Sequence, residues 1–128
     1  MSVYPHDEFA PVANRPGVAA RVFAGPETGV TAFFLVEDEM TTGATIPLHT
    51  HPVDEVLVVT KGALTVTLGD ETHVVPHGHT VVIPPGTPHR LANNEAAATR
   101  FLAAAAWNRA TFYREASHYL EGGPREEP

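Results

Sequence analysis

From Val18 onward the chain runs as short β-type stretches punctuated by Gly and Pro: VAARVFAG, GVTAFFLVEDE, EVLVVTKG, ALTVTLG, ETHVV, TVVIPPG and TRFLAAAAW. Short runs rich in Val, Thr and Phe, bounded by turn residues, predict a series of strands and an all-β sandwich or barrel. Helical periodicity enters only near the C-terminus. There Phe112, Ala116, Tyr119 and Leu120 recur at i, i+4, i+7 and i+8, one face of a short helix, with Asn108 or Thr111 to cap it and Gly122 to end it. Pro5, Pro11 and Pro16 break the first stretch into an irregular arm. The expected organisation is one domain over 1–128: an arm over 1–17, a barrel over about 18–107, and a helix and tail over 108–128, frayed from Gly123.

Two turns sharpen the expectation. Gly69-Asp70 between ALTVTL and ETHVV is a two-residue hairpin loop, which pairs Leu68 with Glu71 and places Val66 and His73 on one face. Pro84-Pro85-Gly86-Thr87 fits a type II turn, with Gly where φ must be positive, and aims the next strand. Strand alternation also puts Val56 and Val58 opposite the inward set Glu55, Leu57 and Val59. Valines at outward positions predict a homodimer through that face, with the proline-broken arm lying across the partner. The competing expectation is that the C-terminal helix covers the same face within one chain.

Charge narrows the range of functions. Eight Lys and Arg against fifteen Asp and Glu give a net charge of -7, which argues against a nucleic-acid groove or a polybasic membrane face. The absence of cysteine excludes disulfides, thiolate metal sites and cysteine nucleophiles. The N-terminal stretch shows no cationic segment followed by an apolar run, and no apolar run is long enough to span a membrane, so a soluble cytoplasmic protein is expected.

The histidines carry the candidate chemistry. There are eight, and His49 and His51 stand two apart, on the same side of a strand. Glu55 follows at the start of EVLVV, and His89 follows the PPGTP turn. Three imidazoles and one carboxylate converging in a barrel would hold one divalent transition metal: Fe, Mn, Ni, Co, Cu or Zn. Four protein ligands close a tetrahedral zinc shell, whereas around an octahedral metal they leave two positions for water, dioxygen or a bidentate small-molecule substrate.

These residues fall into two motifs that resemble those of the cupins. Gly43, His49, His51, Glu55 and Gly62 match the first cupin motif, and Gly78, Pro84, Gly86, His89 and Asn93 match the second, with Ala63 to His77 between them. The departure is His79, where relatives often carry an acidic residue. The resemblance implies a jelly-roll β-barrel, or double-stranded β-helix, with His49, His51, Glu55 and His89 as metal ligands. It implies an enzyme of the mononuclear dioxygenase or oxidoreductase kind, with metal-dependent isomerases, lyases and cyclases and non-enzymatic ligand-binding or sensing barrels as alternatives. It also implies a dimer.

Other residues read as structural. His77 and His79 flank a turn glycine, His73 belongs to the core or rim, and nothing marks His6 or His118. Phe33, Phe34, Phe101 and Trp107 serve equally as pocket walls or core. Glu37, Asp38 and Glu39 suggest a solvated loop, and Arg100 an outward side chain.

Overall fold

Residues 2–122 are described by a computed structural model. The tail expected from Gly123 lies outside them. The described residues form eleven strands: β1 Val12–Arg15, β2 Val18–Ala24, β3 Phe34–Met40, β4 Thr45–Thr50, β5 Glu55–Lys61, β6 Ala63–Leu68, β7 Glu71–Pro76, β8 His79–Ile83, β9 His89–Ala92, β10 Thr99–Ala105 and β11 His118–Tyr119. The first sheet has the order β1-β2-β3-β10-β5-β8, the second β11-β4-β9-β6-β7, and every pairing is antiparallel. This is the all-β architecture that the strand punctuation predicts and the jelly roll that the cupin resemblance implies.

Alternation builds the core. On β3, Phe34, Val36, Asp38 and Met40 are buried, and on β10 Thr99, Phe101, Ala103 and Ala105. Leu57, Val59, Val81 and Ile83 complete the inner face of the first sheet, and Ile46, Leu64, Val66 and Leu91 meet them from the second. Both expected turns form. Leu68 pairs with Glu71 and Val66 with His73. Gly86 takes φ 75°, and the Thr87 amide donates to the Pro84 carbonyl at 3.3 Å. The Gly86 amide also donates to the His51 carbonyl at 2.7 Å, which ties one motif to the other.

Several expectations are corrected. The proline-rich arm contains β1, and its remainder folds back on its own chain, with the His6 ring stacked 3.9 Å from Phe23 and Phe9 edge-on to the same ring. Glu37, Asp38 and Glu39 belong to β3 and not to a loop: Glu37 and Glu39 face out to Arg21 and Arg100, while Asp38 is buried. The C-terminal helix is a single turn, α1 Phe112–Glu115; Tyr119 joins β11, and Gly122 caps no helix. Phe112 and Ala116 point into the core, so the helix does not cover the outer valines. No helix among the described residues is long and apolar enough to cross a membrane.

Candidate metal centre

The three histidines reach one point by different local means. On β4 the burial pattern slips between Ile46 and His49, a bulge at Pro47 and Leu48. Proline has no N–H to give a ladder, and the irregularity turns His49 inward. His51 follows directly after the strand and is also buried. His89 opens β9 straight after the Pro84–Thr87 turn and pairs across the sheet with His49. Glu55 opens β5 in the opposite sheet, between Ile83 of β8 and Ala105 of β10.

The result is a buried cluster. Ligand atoms of His49, His51 and His89 all lie within 4.8 Å of one another. Glu55 Oε1 stands 3.4 Å from His89 Nε2 and 3.7 Å from His51 Nε2. Each ring is held by its other nitrogen: His49 Nδ1 is 2.6 Å from the Pro47 carbonyl, His51 Nδ1 2.8 Å from that of Ala116, and His89 Nδ1 2.9 Å from that of Thr87. A carbonyl oxygen only accepts, so each Nδ1 carries a proton and Nε2 is the nitrogen left to ligate a metal. This is the outer-shell arrangement that orients metal-ligating imidazoles.

His89 Nε2 makes the case sharper. It is buried and has no hydrogen-bond partner, yet it faces the Glu55 carboxylate. A lone pair directed at a carboxylate repels it unless a cation lies between them. The residues therefore fit a metal of the borderline class that takes nitrogen and oxygen donors.

The surrounding cavity is small, about 20 Å³ for the centres of water-sized molecules. That is room for one or two such centres. Phe34 and Phe101 line it, as the sequence allows, but Phe33 is exposed and Trp107 is tied to Thr111 through its indole N–H at 3.1 Å. His73 is exposed on β7, and Arg100 points outward, its guanidinium raised above its ordinary pKa by the hydrogen bond to Glu39. His77 and His79 are exposed beside their turn.

Among the lining residues that escape the sequence reading are Asp38, Phe112 and Tyr119. Asp38 shares the alternating phase of Phe34, Val36 and Met40, a signal present in the sequence. Phe112 sits with its ring 4.4 Å from that of His51, and Tyr119 is stacked 5.1 Å from His49. These last two come from a segment whose helical spacing points elsewhere.

A two-sheet jelly roll with a buried histidine–carboxylate cluster defines a candidate metalloprotein. Residues 36–105, more than half of the chain, match the family model described as Cupin domain, and the chain belongs to that family. No curated protein matches it by sequence. Among solved structures it is similar to the polyketide cyclase RemF from Streptomyces resistomycificus, at 21% identity and a TM-score of 0.79, covering 96% of this chain and 87% of that one. It is also similar to a sugar phosphate isomerase of the cupin superfamily from Silicibacter pomeroyi (22%, TM-score 0.74, 82% and 75% covered). A third similar structure is an oxalate oxidase (24%, TM-score 0.66), in which 82% of this chain matches 59% of that one.

Proposed function

We propose that this cupin is a metal-dependent enzyme that transforms a small organic molecule at one divalent transition metal held by His49, His51, His89 and Glu55. The carrying observation is the set of three Nδ1-anchored imidazoles whose Nε2 atoms meet beside a carboxylate. The bound metal would supply Lewis acidity, and with a redox-active ion the capacity to handle dioxygen. The chain's own residues orient the donors, and Phe34, Leu57, Phe101 and Phe112 keep bulk water from the cavity. An oxidoreductase of the dioxygenase kind is the first reading, supported by the ligand set and by the similarity to an oxalate oxidase. The fit to a polyketide cyclase over nearly the whole chain favours a second, non-redox reading. We place the protein in the cytoplasm as a homodimer.

Metal analysis of the purified protein tests the centre: about one equivalent is expected. Glu55→Gln and His89→Ala should each lower occupancy sharply while leaving the β-type circular dichroism unchanged. The core is apolar and independent of the ion, so metal removal by chelator should also leave the barrel folded, unlike a zinc finger. Oxygen uptake with small phenols and diketones then separates the two reactions: consumption supports the oxidoreductase, turnover without it the cyclase or isomerase.

A further inference from the structure

We infer that Tyr119 is a substrate-contacting residue whose phenol donates a hydrogen bond to an oxygen of a small carboxylic or hydroxycarboxylic acid held in the metal cavity. The inference rests on the metal reading above and adds to it the class of ligand and a residue outside both cupin motifs.

The backbone places Tyr119 among the ligands. It pairs with His49 across β11 and β4, and His49 pairs with His89 across β4 and β9. Directly paired cross-strand residues share a face, so the three side chains form one inward row. The rings confirm it: Tyr119 to His49 is 5.1 Å at an interplanar angle of 25°, and His49 to His89 is 4.1 Å. Tyr119 lines the cavity.

Its hydroxyl is the anomaly. The oxygen is buried and has no hydrogen-bond partner among the described residues. A buried tyrosine hydroxyl ordinarily finds a partner, because leaving it without one forfeits its hydration for nothing. His118, the other residue of β11, is exposed, so the strand had a solvent-facing position available. A phenol kept inside beside a metal-ligand row is suited to an acceptor that arrives with the ligand.

The charges favour an acidic ligand. Three neutral imidazoles and one carboxylate around a divalent ion would leave a net positive centre. Asp38 is the opposing charge in the cavity, but it stands on the β3–Phe101 row. The row holding Phe34 pairs through Ala105 to Glu55, so Asp38 lies four residues along β3 from the carboxylate end of the site. The small cavity limits the ligand to a few heavy atoms.

The test uses full-length protein loaded with Co²⁺, with glycolate as the probe. Cobalt content is read by elemental analysis, and glycolate binding by the change in the visible spectrum. Tyr119→Phe should retain cobalt and melt at or above the wild-type temperature, since it removes an unsatisfied hydroxyl but keeps the ring stacked on His49. It should bind glycolate at least about tenfold more weakly, the loss of one hydrogen bond to a charged acceptor. Leu120→Ala should bind glycolate as the wild type does. Equal affinity in Tyr119→Phe overturns the inference and leaves the phenol bonded to an ordered water only. Loss of cobalt from that variant also overturns it, by giving Tyr119 a supporting role toward His49. Cobalt-loaded wild type that ignores glycolate overturns the ligand class with the metal centre intact, whereas wild type that takes up no cobalt overturns both.

Discussion

Asn93 offers no ligand atom, yet it is fully buried and satisfied on both sides. Its Nδ2 donates to the carbonyls of Met40 and Ala97 at 2.8 and 2.9 Å, and its Oδ1 accepts from the Glu95 amide and the Thr99 hydroxyl. One side chain thus joins the end of β3 to the loop before β10. Asn93→Ala takes the partner from the buried Met40 carbonyl and from the Glu95 amide, while Thr99 keeps its bond to the Ala63 carbonyl, and should cost about 1–3 kcal/mol in urea unfolding while metal stoichiometry in the folded protein is unchanged. Motif spacing marks the position, but the role is legible only in three dimensions. The candidate ligands are different: His49, His51, Glu55 and His89, which the fold brings together, stand out because few side chains bind metals and their spacing follows strand geometry. Asp38 lies between these cases. Its neighbours Glu37 and Glu39 make a run of acids that resembles a loop, and only the phase of Phe34, Val36 and Met40 reveals it as inward.

At the scale of elements, the segment after β10 is where local pattern misleads. Phe112 and Ala116 do lie on one face of a helical turn, but the helix stops at Glu115 because the next residues find better partners on β4 and β9. The Leu120 amide donates to the Leu48 carbonyl at 2.9 Å, and Glu121 accepts from the Leu48 amide at 3.1 Å and from the Arg90 guanidinium. Those partners lie far away in sequence, so a window of eight residues cannot contain the information. Strands β2, β3, β5, β6, β7, β8 and β10 are legible, by contrast, because their punctuation is local. The Arg90 hydrogen bond, and then the Leu48 amide, hold the Glu121 carboxyl below the usual range, while Glu121 raises Arg90. A lowered carboxyl pKa means that the latch is fully present above the unfolded value, about 4.3, and is lost as pH falls through the lower folded one. The Leu48 amide shift in NMR should therefore titrate with a midpoint below that of a free glutamate. Arg90→Gln should move this midpoint upward.

For the molecule as a whole, the outer face of the six-stranded sheet sets the expectation of assembly. Val82, Val56, Ala104 and Leu35 form a continuous cross-strand row, with Val58 and Leu102 beside it, and Val82 is 59% exposed. Arg21–Glu37 and Arg100–Glu39 neutralise the charges of the same face within the chain. A second copy laid on this row would bury it, and large exposed apolar patches usually mark such contacts. Light scattering at micromolar concentration should give the mass of two chains, and Val82→Asp should shift it toward one. A single-chain mass for the unaltered protein would remove the dimer. Within the chain, His6 and Phe9 of the arm pack on Phe23, while Val3, Tyr4 and Val12 stay exposed.

The hydrogen bond from His51 Nδ1 to the Ala116 carbonyl has a bearing on the order in which the site comes into being. As the chain is synthesised, all four candidate donors have been made once His89 is added. His49 and His89 already have their anchoring carbonyls at Pro47 and Thr87, two residues upstream of each. The anchor for His51 is made 65 residues after it, on a segment that must then cross the barrel mouth and close against Phe34. A nascent chain therefore presents two prepared imidazoles and one that still turns freely. An ion bound before Ala116 is made would meet a looser site, with His51 not yet held, and should exchange more readily than from the finished molecule.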